Sequence, residues 1–244
     1  MNEAFHRYSL HYRRMRNIPP DYSLAIRDPE RFRLLAEWLP MDLEAPILDV
    51  GCGWGQLLLG LWASGYRNLT GVELSKEQFD IARASLPKEI RLVHADAKEF
   101  LKHPGESFRL VTVFDVIEHL EKPDGLNLLR LVFGAIAPPG SVVIRTPNMA
   151  CLIAGYTRHN DITHVAGYTE WSLFQLLDMA GFVAHKIIGP TVDRRCWRWY
   201  APYRGFGLGL KLADCLHSLI YRLVALRPFP TALGYNLTVE SFKK

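Results

Sequence analysis

The chain has 244 residues, 49% of them hydrophobic and 22% charged, which is enough to bury a full core in one larger or two smaller α/β domains. The net charge of +4 is mild: it excludes nothing and does not by itself imply nucleic acid, and we expect no nucleic-acid partner. The four cysteines are scattered without metal-site spacing, and neither a secretory signal nor an uninterrupted membrane-spanning stretch stands out. These features predict a cytoplasmic protein with free thiols and no metal site.

The N-terminal part of the chain is basic and aromatic. Residues 1–28 are rich in arginine, histidine and tyrosine and lack strand patterning, so they form either a flap over a site or a poorly ordered terminus. Asp28 and Pro29 have the residue types of a helix N-cap and first helical position. They predict a helix that runs to about Leu39.

The stretch 47–58 combines three features of a ligand-binding loop. Its apolar run predicts a strand to Val50, its glycines have the spacing G-x-G-x-G, and a helix is expected from about 54 to 64. Glycines let the backbone approach a ligand closely, and a helix N-terminus favours negative charge. Because position 56 is Gln, the dinucleotide pattern G-x-G-x-x-G is not met.

Strand-like and helix-like segments alternate along the chain. We expect strands at 46–50, 69–73, 90–94, 110–114, 141–146, 182–188 and 233–242, and further helices at 75–85, 124–137 and 170–180. This alternation predicts right-handed crossovers and a parallel sheet that is covered on both faces. In such sheets, ligands bind beyond the carboxyl ends of the strands.

An acidic residue stands at or near the end of each of four successive strands: Asp49, Glu73, Asp96 and Asp115. Any one of them could instead be a turn or helix-cap residue. Glu73 lies near the distance from the first glycine at which an acid accepts both ribose hydroxyls, and Asp96 could accept from an adenine amine. The set therefore predicts an adenosine-bearing ligand, and the lack of a P-loop lysine disfavours ATP.

The runs 47–55, 71–75, 94–97 and 114–120 resemble the successive signatures of class I S-adenosylmethionine-dependent methyltransferases. They follow the family's order and spacing over roughly 45–190. The resemblance implies an α/β, Rossmann-like fold, with a seven-stranded, mostly parallel sheet, helices on both faces and an antiparallel last strand. Arg109 is one departure, since the family usually has an acid before its fourth strand.

The same resemblance implies which residues contact S-adenosylmethionine. They are Asp49, Gly51, Cys52 and Gly53 for the methionine part, Glu73 and Leu74 for the ribose, Asp96 and Ala97 for the adenine, and Phe114 and Asp115 beside the sulfonium. We expect a single domain over 1–244. Within it, 1–40 is an N-terminal cap, 41–190 the core with the cofactor site, 191–230 a basic and aromatic helical insertion, and 231–244 the last strand.

The segment after the fifth strand bears on the acceptor. The runs 146–148, 158–164 and 167–173 resemble a bacterial subgroup associated with glycan and lipopolysaccharide biosynthesis, although Val165 replaces its usual Glu. This second resemblance implies O-methylation of a sugar hydroxyl on a surface glycan or an activated or lipid-linked precursor. The expected substrate contacts are Asn148, Arg158, His159 and Tyr168, of which Arg158 and His159 could bind an anionic group.

A sugar hydroxyl is a poor nucleophile at neutral pH, so its methylation benefits from a positioned base. His164, oriented by Asp161, is the first candidate. The alternative is that the run 158–164 only fixes a loop by hydrogen bonds to backbone. His119, next to Glu118, is the second candidate, although such a pair opens this helix in many methyltransferases. Two adjacent ligands on a helix point in different directions, which argues against a metal site there.

Two questions stay open at this level. The stretch 191–230 could be a lid that contacts substrate, a helix packed on the sheet, or a peripheral contact with the anionic inner face of a membrane. The function could instead be methylation of a small molecule of quinone or natural-product type. A non-catalytic module that binds the cofactor or a membrane is the other alternative.

Overall fold

The computed structural model describes residues 38–151, 154–188 and 236–243. Within these residues, seven strands form one sheet in the order β3-β2-β1-β4-β5-β7-β6. The strands are β1 (Ile47–Val50), β2 (Leu69–Glu73), β3 (Arg91–His94), β4 (Phe108–Phe114), β5 (Ile136–Pro147), β6 (Val183–Ile187) and β7 (Asn236–Lys243). Strands β1 to β5 pair in parallel, and β7 is antiparallel to both β5 and β6. The predicted Rossmann-like fold with its reversed last strand is therefore confirmed.

Helices cover both faces of this sheet. Within the described residues they are α1 (Gln56–Ala63), α2 (Lys76–Ser85), α3 (Ala97–Lys102), α4 (Lys122–Ala135), α5 (Ala154–His159) and α6 (Glu170–Ala180), with a 3-10 turn at Ile117–His119. The predicted end of α4 is two residues too late. Ala137 precedes Pro138, and a residue before proline is pushed out of helical conformation. Ile136 pairs instead with Phe108 and begins β5.

The core is two apolar clusters, one on each face of the sheet. Neighbouring residues of a strand point to opposite faces, so Leu48 and Val50 enter one cluster while Ile47 enters the other. The first cluster packs the sheet against α3, α4 and α6. The second packs it against α1 and α2. Helices thus cover both faces of the sheet, and a ligand can reach the sheet at the ends of the strands.

A Ser–His–Asp trio joins three elements at the far edge of the sheet. His185 of β6 contacts the Ser241 hydroxyl of β7 through Nδ1 and the Asp178 carboxylate of α6 through Nε2, each at 2.8 Å. These residue types could suggest a nucleophilic triad. Ser241 is fully buried, however, so its hydroxyl is not accessible to a substrate. The trio holds β6, β7 and α6 together.

The loop after β1 depends on glycine at position 51. Gly51 has a φ of +69°, and a Cβ added there would overlap the Val116 side chain. We expect Gly51→Ala to lower the free energy of unfolding by about 2–4 kcal/mol, from left-handed strain and overpacking together. Urea denaturation measures this change.

Gly134→Ala is the matched control, because Gly134 lies exposed in α4 with open space around its Cα. Alanine is the better helix former, so this variant should gain up to about 1 kcal/mol. A Gly51→Ala protein as stable as the wild type would show that the loop does not need its left-handed backbone.

Candidate functional site

A cavity of about 170 Å³ lies at the carboxyl ends of β1, β2, β3 and β4, where the predicted fold places its ligand. Several of the predicted cofactor contacts line it: Gly51, Glu73, Leu74, Asp96, Ala97 and Asp115. His119 also reaches its wall. Sequence motifs that are far apart along the chain therefore meet around one cavity.

Glu73 joins the glycine loop to the end of β2. Its two carboxylate oxygens accept hydrogen bonds from the backbone N–H groups of Gly53 at 2.8 Å and Ser75 at 2.6 Å. Burial raises the pKa of this carboxyl, against the lowering effect of those bonds. An ionised carboxylate has about four acceptor positions, so the two N–H bonds leave room for the two hydroxyls of a ribose.

Asp49 lies beneath the cavity and does not line it. Its carboxylate is almost fully buried and accepts a hydrogen bond from the Thr112 hydroxyl at 2.7 Å. Burial raises the pKa of Asp49 to about 7, against the lowering effects of Thr112 and of the positive charge of Arg145. The group can thus change its charge near neutral pH at the base of the predicted methionine site.

This raised pKa predicts a pH-dependent stability. The folded chain keeps a proton on Asp49 up to about pH 7, whereas the unfolded chain loses it near 3.8, so through this group stability falls as pH rises between those values. We expect Asp49→Asn to gain stability relative to the wild type over that range, by up to about 4 kcal/mol. Urea unfolding near pH 5 and near pH 8 measures the difference. The exposed Asp80 of α2 provides the control Asp80→Asn, and a difference that does not rise with pH would contradict the prediction.

Asp96 has the helix-cap role that was one of its two interpretations. Its Oδ1 accepts from the backbone N–H groups of Lys98 and Glu99 at the start of α3. The side chain still lines the cavity beside Ala97, so adenine contact by this residue stays a prediction. Sequence reasoning missed Gln78, whose buried side chain lies against Gly53 and lines the cavity. Its position at the end of the Ser75-Lys-Glu-Gln capping box gave no sign of that contact.

Two of the predicted cofactor residues turn away from the cavity. The Cys52 side chain packs in the cluster beneath α1 and α2, and burial raises the pKa of its thiol well above the usual value. The Phe114 ring packs edge-on against Trp38 at 6.3 Å between centroids. Their side chains therefore support the loop and the strand end, while contact of their backbone with a cofactor stays a prediction.

Asp115 stands at the rim in an unusual backbone conformation. Its φ is +55°, which non-glycine residues rarely adopt and which recurs at functional sites. Arg145 of β5 binds the Asp115 carboxylate, with Nε 3.1 Å from Oδ1, and lies 4.8 Å from the Phe114 ring centre. This arginine was not singled out in the sequence, because only the pairing of β4 with β5 brings it there.

The two candidate histidines form one cluster. The rings of His119 and His164 lie 4.8 Å apart, edge to face. Asp161 orients His119 rather than His164, because the Thr163 hydroxyl donates to Asp161 Oδ1 at 2.6 Å and lies 2.8 Å from His119 Nδ1. Nδ1 of His164 instead faces the Thr157 carbonyl at 2.9 Å. The predicted pairing of Asp161 with His164 is corrected accordingly.

These partners define the tautomers. A carbonyl only accepts, so Nδ1 of His164 must donate, and the hydroxyl hydrogen of Thr163 is already given to Asp161, so Nδ1 of His119 must donate too. In the neutral rings, both lone pairs therefore lie on Nε2. Burial, reinforced by His164, lowers the pKa of His119 to about 4, so its ring is neutral at ordinary pH.

Glu118 and His119 are closer in space than predicted. The argument that adjacent side chains diverge assumed a regular helix, but these residues lie in the 3-10 turn Ile117–His119. Glu118 is buried, and burial raises the pKa of its carboxyl to about 8. One ligand-type atom each of Glu118, His119 and His164 lies within 4.8 Å of the others.

The predicted substrate residues divide into two groups. Asn148 and Tyr168 are 0% and 1% exposed, and their backbones form a bridge that closes the loop after β5. Arg158 donates to the Val165 carbonyl at 2.8 Å, while His159 is exposed at the end of α5. The prediction that the Asn148 and Tyr168 side chains contact an acceptor is therefore corrected. These residues support the loop that carries His164.

The chain is similar to known methyltransferases in part of its sequence and in its fold. Residues 47–140 match the family described as "Methyltransferase domain". Over 97% of its length the chain superposes on 99% of an S-adenosylmethionine-dependent methyltransferase from Archaeoglobus fulgidus, with a TM-score of 0.67 and 19% identity. The chain therefore has the fold of these methyltransferases, and its residues 47–140 are similar to a methyltransferase domain. A phosphoethanolamine N-methyltransferase from Haemonchus contortus, solved in complex with S-adenosyl-L-methionine, shares this fold over 88% of the chain and 52% of its own length, with a TM-score of 0.60 and 15% identity.

Curated relatives match the chain over part of their length. A ubiquinone biosynthesis O-methyltransferase from Aromatoleum aromaticum is 34% identical over 42% of this chain and 44% of its own length. A 27-O-demethylrifamycin SV methyltransferase from Amycolatopsis mediterranei is 27% identical over 45% of this chain and 41% of its own. The chain thus spans less than half the length of these two relatives.

The cap at 1–40 and the insertion at 191–230 fall almost entirely outside the described residues, and so does the predicted helix from Asp28 to Leu39. The lid, packing-helix and membrane-contact interpretations of 191–230 therefore stay predictions. Among the helices within 38–151 and 154–188, none has the length and apolarity that crossing a bilayer requires.

Proposed function

We propose that the chain is an O-methyltransferase that acts on a hydroxyl group of a small molecule of quinone or natural-product type. The observation that carries this proposal is the cluster of His119 and His164 beside the cofactor cavity, with both lone pairs on Nε2. The curated relatives named above, a ubiquinone biosynthesis O-methyltransferase and a rifamycin methyltransferase, support the acceptor class.

Groups that would hold the cofactor are already in place at the cavity. Glu73 is held by two backbone N–H groups and keeps acceptor capacity toward a ribose, and the glycine loop brings backbone close to the same point. S-adenosylmethionine supplies the methyl group as an electrophile. The apolar side chains of Val50, Val72, Leu74 and Val116 line the cavity and would exclude water from the adenosine part of the cofactor.

The histidine cluster suits a hydroxyl acceptor for a chemical reason. A hydroxyl must give up its proton as its oxygen attacks, so a nearby lone pair that binds this proton or stabilises the resulting oxyanion increases the rate. The Thr163 hydroxyl and the Thr157 carbonyl fix the two rings in one tautomer. A neutral amine is a stronger nucleophile than a neutral hydroxyl, and a tertiary amine has no proton to lose, so an amine acceptor needs this arrangement less.

A sugar of a surface glycan, or its activated precursor, is the second candidate. It is favoured by Arg158 and His159, which bring cationic and polar groups to the loop that carries His164. Guanidinium groups suit the phosphates and carboxylates of activated or acidic sugars.

Competition between acceptor classes tests the proposal. Release of S-adenosylhomocysteine should be compared for phenolic quinone precursors, phenolic natural products and nucleotide-sugars, with the methylated atom identified by mass spectrometry. We expect the highest kcat/KM for a phenol, with the methyl group on oxygen. Turnover confined to nucleotide-sugars would replace the first candidate with the second, and cofactor binding without turnover of any acceptor would indicate a non-catalytic module.

A further inference from the structure

Three side chains beside the cavity have the composition of a metal site. Glu118 and His119 come from the 3-10 turn after β4, and His164 comes from the loop before α6. Their ligand-type atoms lie within 4.8 Å of one another, and two of the three residues are buried. Tetrahedral coordination with bonds of about 2.0–2.1 Å separates ligand atoms by roughly 3.4 Å, so small side-chain rotations would close the site.

Each candidate ligand is oriented by a hydrogen bond to a second group. Nδ1 of His164 donates to the Thr157 carbonyl, and Nδ1 of His119 donates to Thr163, which is fixed in turn by Asp161. The Thr146 hydroxyl donates to Glu118 Oε2 at 3.1 Å. Metal-binding histidines typically donate their second ring nitrogen in this way, because that bond sets the tautomer and the ring orientation.

The charges of the site also suit a cation. Glu118 is a buried carboxylate, and Arg145, a nearby cation, directs its hydrogen bonds to Asp115. An imidazole binds a metal ion in its neutral form, so the two rings would add no positive charge to the site. A bound cation would displace the proton of the Glu118 carboxyl and offset the cost of burying the resulting carboxylate, in addition to gaining three donor atoms.

We propose that Glu118, His119 and His164 bind one divalent transition-metal ion. Two imidazoles and one carboxylate match Zn²⁺ better than Mg²⁺, which prefers oxygen ligands. Three protein ligands leave a coordination position for an acceptor oxygen, whose pKa the ion would lower, and the released proton passes to solvent. The proposal goes beyond the proposed function, because ion binding is measured without any acceptor.

The test uses the full chain after removal of metal with a chelator. Titration with Co²⁺, followed by visible absorption, should give one ion per chain with the intense bands of low-coordinate Co²⁺, and Zn²⁺ should displace it. Glu118→Gln and His164→Gln should abolish these bands. Thr163→Val keeps the ligands but removes the partner of His119, and should weaken Co²⁺ binding about 10- to 100-fold.

His103→Gln is the matched control, because His103 is an exposed histidine after α3 that lines no part of the cavity. It should bind Co²⁺ as the wild type does. The proposal would be overturned if the wild-type chain showed no absorption bands. It would also be overturned if the Glu118→Gln and His164→Gln proteins kept them. The first outcome does not depend on the folding of any variant. Measuring methyl transfer on the same samples separates the two proposals, since ion binding without transfer contradicts only the proposed function.

Discussion

Replacing Glu73 by alanine is expected to weaken S-adenosylmethionine binding by about 100-fold or more, because hydrogen bonds to a charged group each contribute about 1.5–3 kcal/mol. Glu73 is buried at the cavity and already held by the N–H groups of Gly53 and Ser75. Its removal takes away the acceptors for the ribose and releases the glycine loop. Calorimetric titration with S-adenosylhomocysteine measures the dissociation constant without turnover.

Two further variants make this result specific. Glu73→Gln keeps the size of the side chain and can still accept through one oxygen, so it should lie between the wild type and alanine. Glu99→Gln removes an exposed carboxylate of α3 that pairs with Lys102, and it should bind as the wild type does. Unchanged affinity of the folded Glu73→Ala protein would remove this residue from the cofactor site.

Replacing His164 by alanine is expected to lower kcat by about 100- to 10,000-fold at saturating cofactor, the range that a positioned proton acceptor contributes. Cofactor affinity should change little, because His164 does not line the cavity. Turnover assays with the best acceptor measure kcat, and the calorimetric titration described above measures cofactor affinity. Full turnover by His164→Ala would exclude the ring from the chemistry, whether it accepts a proton or binds an ion.

The fold was predictable because its signals are local. Apolar runs such as 47–50 and 69–73 are bounded by glycines or acids, and both strands appear at those positions. Helix α3 was missed because its six residues are too few to show a helical pattern. Asp96, in contrast, directly precedes α3 and caps it, as the preference of Asp for helix N-caps predicts. The sequence allowed this role together with a contact to adenine.

The cluster around His119 was only partly predictable. Both histidines were singled out, but the contact that orients His119 joins residues 119 and 163, which lie 44 positions apart in the sequence. No spacing rule reports such a contact. The expected divergence of Glu118 and His119 failed for a related reason, since both lie in a tight 3-10 turn whose Ile117 packs into the core.

Burial separates the substrate residues in a way that sequence patterns do not. Asn148 and Tyr168 belong to polar, loop-like runs that favour an exposed position. Both are buried, however, and their backbones bridge the two ends of the loop after β5. The Tyr168 ring fills the core beside Gly125 of α4, and its hydroxyl has no hydrogen-bond partner among the described residues. Only the tertiary structure decides which residues of such a run face a ligand.

The most direct measurement of the central claim is transfer of an isotopically labelled methyl group from S-adenosylmethionine to an acceptor hydroxyl. The wild-type chain should yield a product with the label on oxygen, at a rate that depends on a phenolic acceptor. Glu73→Ala should yield little product at low cofactor concentration, whereas Glu99→Gln should match the wild type. A wild-type chain that binds the cofactor yet places the label on nitrogen, on carbon or on no acceptor would contradict the account.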